Sequence, residues 1–237
     1  YFPLYVKMNN EGYDDIGDVL KRGAVALSPE AFEIAANETG AVILDVRHQN
    51  DYAKAHVHRS IFIGLNGGFA PWVGALIADV KQPILLIAPK GKEEETITRL
   101  SRVGFDGTLG YLEGGLEAWT ASGKETDSVH SIDATTFKAH VEAKEPIFDV
   151  RKESEYNAEH IEEAQLTPLD FLNDHLKVFP SDKTFYVHCA GGYRSMIAAS
   201  ILKSRGIHNL VDVAGGFGAI KNAGIPTTDF VCPTSSK

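Results

Sequence analysis

Cysteine is nearly absent from this 237-residue chain, with Cys189 and Cys232 the only two. Two thiols cannot build a disulfide framework, and their scarcity fits a reducing compartment, so a cytoplasmic setting is expected. An excess of positive charge is missing as well: 23 Lys and Arg stand against 32 Asp and Glu, a net charge of −9. With no basic run or basic amphipathic helix, neither nucleic acid nor an anionic membrane is an expected partner. No apolar stretch reaches the roughly 18 residues that span a bilayer. No secretory signal is visible. The chain begins at Tyr1 rather than Met, which leaves open a processed product or a fragment of something longer. What is present, 43% hydrophobic and 23% charged residues, is the composition of packed globular domains. The length allows one or two of them.

A repeat decides for two. Leu44-Asp45-Val46-Arg47 recurs as Phe148-Asp149-Val150-Arg151, and His56-Val57 as His160-Ile161, each 104 positions later (45 to 149, 56 to 160). Phe32 pairs with Phe137 upstream, and Gly114-Gly115 with Gly215-Gly216 downstream, in the same order. Two homologous domains are therefore expected over 23–127 and 128–237, after a leader or linker at 1–22. Polar residues cluster at their boundary, near Gly123 to Val129. In each copy an N-cap, Ser28 or Asp133, leads into a helix carrying Phe32 or Phe137. Short apolar runs follow, Ala41 to Leu44 and Ile84 to Ile87, then Ile147 to Phe148 and Phe185 to Val187, and these read as buried strands. The second copy's last run precedes a helix expected to be amphipathic, with Met196, Ile197, Ala199, Ile201 and Leu202 on its apolar side. Strands alternating with helices at this spacing predict an α/β fold, two tandem domains each with a mostly parallel sheet flanked by helices.

In such sheets chemistry sits at the carboxyl ends of the strands. There the strand Phe185-Tyr186-Val187 runs into His188-Cys189-Ala190-Gly191-Gly192-Tyr193-Arg194-Ser195 and then directly into a helix. The arrangement places a thiol in a loop of inward-turning N–H groups at the positive end of a helix, which favours a nucleophilic thiolate. Gly191 and Gly192 permit close approach of a ligand, and Arg194 offers a fork of donors for an oxyanion. Cys232 lies in a polar tail before Pro233 with no such surroundings and is expected to be incidental. His188 adjoins the nucleophile but should point to the opposite face of its strand, against a Cys-His dyad.

These motifs resemble the rhodanese domain, the sulfurtransferase module. The likeness runs through the second half from Asp149-Val150-Arg151, Glu155-Tyr156 and His160-Ile161, through the Cys189–Ser195 loop, to Ala214-Gly215-Gly216-Phe217 and Ala223-Gly224-Ile225-Pro226. The resemblance implies that Cys189 takes sulfane sulfur from thiosulfate or a low-molecular-weight persulfide. Held as a persulfide, the sulfur would then pass to cyanide, sulfite or a thiol. It further implies that the backbone of Ala190, Gly191, Gly192, Tyr193, Arg194 and Ser195 cradles the substrate, with Arg194 on an anionic donor, and that no cofactor or metal is needed. The family's usual tryptophan after Gly-Gly is Trp119 in the first copy and Ile220 in the second, a packing change. In the first copy the equivalent loop is Ala88-Pro89-Lys90-Gly91-Lys92-Glu93-Glu94-Glu95. It lacks a thiol, Pro89 lacks an N–H donor, and the three glutamates would repel an anion. That copy is expected to be inactive and structural. Tyr1-Phe2-Pro3, Gly12-Tyr13 and Phe69 to Leu76 are similar to the region following the catalytic domain in metallo-β-lactamase-fold/rhodanese fusions of persulfide dioxygenase type. An upstream domain of that kind in the same polypeptide is thus an expected partner.

Other patterns fit less well. Gly91-Lys92 lacks the glycine and Ser/Thr of a phosphate-binding loop, since Leu86 and Glu93 stand there. His56-Val57-His58 has metal-pair spacing but no further ligands nearby, and the repeat already accounts for His56. Phosphatases and arsenate reductases of the same fold are the enzymatic alternative, but their loops are one residue longer than the span from Cys189 to Arg194. A non-catalytic sulfur-binding or regulatory module is the other. Charge separates the copies: from Asp182 to Asp212 the only charged residues between are Lys183, Arg194, Lys203 and Arg205, whereas Ile84 to Thr108 carries four basic and four acidic residues. A positive segment around the thiol is the expectation.

Overall fold

The computed structural model describes residues 14–231. The chain divides into two compact units between Asp127 and Ser128. Unit 1 contains α1 (Ile16–Gly23), β1 (Ala26–Leu27), α2 (Pro29–Thr39), β2 (Val42–Asp45), α3 (Gln49–Lys54), β3 (Ile61–Phe62), α4 (Phe69–Leu76), β4 (Ile84–Ile87), α5 (Glu93–Ser101), β5 (Thr108–Leu112) and α6 (Gly115–Ala121). Its five strands form one parallel sheet in the order β1-β5-β4-β2-β3. The central strand Ile84-Leu85-Leu86-Ile87 is wholly buried, as a run of apolar residues in a sheet covered on both faces must be. Ser28 caps α2 by accepting from the Ala31 N–H at 3.3 Å, and Gly40 closes it at φ +64°.

Segment 1–22 was expected to be leader or linker, and its first thirteen residues lie outside the described ones. Residues 16–22 belong to α1, whose amino end is capped by Asp15 through the Gly17 N–H at 2.8 Å. Val19 is fully buried, and at Gly23 an added Cβ would meet Thr108 Cβ at 3.1 Å. The amphipathic turn packs on β5 and α5, so this stretch is part of unit 1.

Unit 2 repeats the plan: β6 (Ser131–Ile132), α7 (Ala134–Glu142), β7 (Ile147–Asp149), α8 (Glu153–Ala158), β8 (Ala164–Leu166), two 3-10 turns (Leu169–Asp174 and Leu176–Val178), β9 (Phe185–His188), α9 (Tyr193–Ser204), β10 (Leu210–Val213) and α10 (Gly216–Asn222). The parallel order is β6-β10-β9-β7-β8, the same as in unit 1. Asp133 caps α7 through the Thr136 N–H at 2.7 Å. In unit 1, Trp119 meets Phe32 edge-on at 6.2 Å and donates from Nε1 to Glu125 O at 2.9 Å. In unit 2, fully buried Ile220 shares a core with Phe137. Each such buried side chain contributes about 1.5–3 kcal/mol. The expectation for α9 needs correction: every residue from Ser195 to Leu202 is buried. It packs on β9 and β10 and on the first 3-10 turn, so it has no long solvent face and is not amphipathic.

The repeated sequence motifs form a repeated hydrogen-bond frame. Asp45 accepts from Arg47 N, Nε and Nη2 at 3.0, 3.0 and 2.6 Å, and Arg47 Nη2 also donates to Ala55 O at 2.8 Å. Asp149, Arg151 and Glu159 O give 3.0, 3.0, 2.6 and 2.8 Å. Tyr52 donates to Ser60 O and Tyr156 to Ala164 O, both at 2.7 Å. His56 stacks on Tyr52 at 4.0 Å and His160 on Tyr156 at 3.6 Å. His56 is thus a framework residue. Among the described residues no group of three or more His, Cys, Asp or Glu is placed to hold a metal ion, and no helix is long and apolar enough to cross a membrane.

Candidate active site

Cys189 follows the last residue of β9 and is 1% exposed, at the base of a loop whose next two residues, Ala190 and Gly191, are exposed. Gly192 N–H donates to Cys189 Sγ at 3.1 Å. Gly192 has φ +97°, the left-handed conformation that turns its amide inward and immediately starts the twelve-residue helix α9. A Cβ built on Gly191 meets nothing within 4 Å, so space above the loop is open.

Two strands and a helix hold this loop from behind. Phe217 N–H donates to Cys189 O at 2.7 Å and Gly218 N–H to Ala190 O at 3.2 Å, so the start of α10 is bonded to the loop. Gly216 lies so close that an added Cβ would be 2.4 Å from Cys189 O. His188 is fully buried, with Nε2 3.9 Å from Asp149 Oδ2 and its ring stacked at 6.2 Å on Phe217, over which Arg151 lies at 3.8 Å. Burial pushes its pKa down and keeps the ring neutral. Its Nδ1 lies 3.4 Å from the Cys189 carbonyl oxygen, so the contact is with the backbone of Cys189 and not its sulfur.

Ser195 is also fully buried, and its hydroxyl donates to Asp212 Oδ1 at 2.7 Å. Only its backbone can therefore belong to a cradle. Asp212 also accepts from Ser131 Oγ at 3.1 Å, and burial pushes its pKa up to about 6 against those two hydrogen bonds. Arg194 Nη1 and Nη2 donate to Glu155 Oε2 and Oε1 at 2.6 and 2.8 Å. Those bonds hold the Glu155 carboxyl below its usual range and raise Arg194 further. Glu155 Oε2 in addition accepts from Lys152 N at 3.1 Å, capping α8.

The positive segment around Cys189 is thus corrected in space. Glu155, 39 residues before Arg194, neutralises it, and a count along the chain had no means of including it. Glu155 was legible as part of a motif but not as Arg194's partner. Gly216 and Phe217 were likewise legible as part of a motif but not as the loop's backbone support, and Asp212 gave no signal as the partner of Ser195.

The first unit has the same loop position without the thiol. Ala88 follows β4 as Cys189 follows β9, Gly91 has φ +80° where Gly192 has +97°, and Glu93 opens α5 one residue after the N-cap Lys92. A cavity of about 1210 Å³ lies there, lined in part by Arg47, Asp51, Ala88, Lys90 and Glu93.

The chain is similar to several known proteins. An uncharacterized protein of Synechocystis, slr1261, is 36% identical over 81 residues, 34% of this chain and 45% of that one. The probable adenylyltransferase/sulfurtransferase MoeZ of Mycobacterium tuberculosis is 35% identical over 72 residues, 30% of this chain and 18% of that one. The chain thus spans less than half the length of either relative. A rhodanese-related protein from Thermoplasma volcanium superposes with a TM-score of 0.39 at 31% identity, over 42% of this chain and 97% of its own. The rhodanese-like domain matches twice, at residues 28–122 and 133–223. With most of its length accounted for by these two copies, the chain belongs to the rhodanese-like family, as a tandem whose second copy alone carries the loop cysteine.

Proposed function

We propose that unit 2 transfers sulfane sulfur through a persulfide on Cys189. The observation that carries this reading is the Gly192 N–H donated to Sγ at 3.1 Å, in an open loop at the start of α9. A donor placed there is attacked by a thiolate already facing an amide and the positive end of a helix. With a persulfide donor R–S–SH, the Cys189 thiolate forms a bond to the outer sulfur, and the R–S bond to that sulfur breaks with its electron pair on the departing thiolate. With thiosulfate the leaving group is sulfite. The resulting Cys189 persulfide gives its outer sulfur to cyanide, sulfite or a thiol and returns to thiolate. Ala190, Gly191, Gly192, Tyr193, Arg194 and Ser195 supply the cradle through their backbone. The MoeZ relative's description as a probable sulfurtransferase supports the reaction class.

Unit 1 has Ala88 at the cysteine's place and is assigned a structural role. The likeness of Phe69–Leu76 to metallo-β-lactamase-fold/rhodanese fusions extends the proposal to a persulfide-handling domain upstream in the same polypeptide. Tyr1-Phe2-Pro3 and Gly12-Tyr13, which share that likeness, lie outside the described residues, as does Cys232.

Mass spectrometry after exposure to a persulfide tests the reading. Cys189 is expected to gain about 32 Da, one sulfur atom, and Cys189→Ser to load none and to lose sulfur transfer to cyanide. Full transfer by Cys189→Ser, or an unloaded parent that instead hydrolyses a phosphate ester, overturns it.

A further inference from the structure

We infer that Glu155 determines which sulfur donor the Cys189 site prefers: by occupying both terminal nitrogens of Arg194 it disfavours small dianions such as thiosulfate relative to persulfides of small thiols. The inference rests on the sulfur-transfer reading and narrows its substrate class.

Three observations lead there. The pair is bidentate and partly buried, with the Arg194 side chain 16% and the Glu155 side chain 34% exposed, so water screens it only in part. Glu155 is also fixed from its own side by the Lys152 N–H, so the carboxylate cannot swing away from Arg194 without giving up the cap of α8. The third observation comes from unit 1. There the frame of Asp45, Arg47, Tyr52 and His56 closes with nearly the same distances as its counterpart in unit 2. Yet the positions of Glu155 and Arg194 are taken by Asp51 and Glu93, two acids that cannot pair. The fold therefore does not need the Glu155–Arg194 pair, and the pair occurs in the copy that has the thiol.

Its electrostatic effect follows from the neighbouring charges. Asp149 and Arg151 cancel behind the loop, and Glu155 cancels Arg194 beside it, which leaves the Cys189 thiolate to meet the donor. A thiosulfate dianion approaches that thiolate with the charge of Arg194 already compensated. A persulfide brings little charge to the sulfur under attack and loses less from the same neutralisation.

The test compares kcat/KM for thiosulfate and for cysteine persulfide, with cyanide as acceptor, in the full chain and in Glu155→Gln. Glutamine keeps an acceptor for the Lys152 N–H, as capping boxes allow, while removing the charge. The thiosulfate-to-persulfide ratio is expected to rise about tenfold, the effect of one charge beside a half-buried site. Glu155→Asp, whose shorter side chain cannot span both nitrogens, is expected to move the ratio the same way by less, and it answers the question if Glu155→Gln does not fold. An unchanged or falling ratio in a parent that loads sulfur on Cys189 overturns the inference alone. A parent that loads no sulfur from either donor overturns the sulfur-transfer reading and this inference with it.

Discussion

Gly216 has no side chain because there is no room for one. An added Cβ would stand 2.4 Å from Cys189 O and 2.8 Å from Ala190 C and Gly191 N, all backbone atoms that cannot step aside, and its φ of +57° is itself unfavourable for other residues. Gly216→Ala is expected to push the loop outward. Sulfur loading of Cys189 should fall about a hundredfold, as displacements near 1 Å do, and thermal stability by about 1–3 kcal/mol. Parent-like loading by this variant would show that α10 does not position the loop. At this scale the sequence was informative where chemistry is contiguous. Cys189 through Ser195 could be read because a strand, two glycines, an arginine and a helix start adjoin one another. The partners of Arg194 and Ser195 could not, because Glu155 and Asp212 come from other elements, 39 and 17 residues away.

Elements are tied together at Asp212, which lies on β10, accepts from Ser195 at the start of α9 and accepts from Ser131 on β6. Its folded pKa of about 6 lies above its ordinary value of 3.8. The folded state therefore holds this proton more tightly than the unfolded one. The associated stability is complete below about pH 4 and is lost as pH rises to about 6 and beyond, by on the order of 3 kcal/mol. Denaturant titrations at several pH values should find the stability of Asp212→Asn flatter than that of the parent between those limits, and parallel profiles would contradict the assignment. The same element scale shows why some strands were legible. Ile84–Ile87 and Phe185–His188 are central, and continuous apolar runs betray them. Edge pairs such as Ala26–Leu27 and Ser131–Ile132 have two residues each and carry no period to detect. α9 departs from the amphipathic expectation because its serines are buried with the rest of Ser195–Leu202, the hydroxyls of Ser195 and Ser200 being satisfied internally on Asp212 and Ile197 O.

At the scale of the whole molecule, each unit has its own five-stranded sheet and its own core, Phe32 with Trp119 in one and Phe137 with Ile220 in the other. A chain of residues 128–237 is expected to fold by circular dichroism and to load sulfur on Cys189 at a rate within about threefold of the full chain, the scatter expected of an autonomous domain. Failure to fold would assign part of the core of unit 2 to unit 1. The repeat made this organisation legible early, since matched motifs in matched order require matched cores. Both sheets also set their first strand beside their last, Ala26 against Tyr111 and Ser131 against Asp212. On the ribosome the first strand of each sheet therefore waits for the last, which domain-wise folding during synthesis makes a discrete event. Cys189 emerges before Phe217, whose N–H grips its carbonyl. The Cys189 loop therefore stays unshaped from its own emergence until Phe217 follows, and takes its folded form only when most of unit 2 has been made.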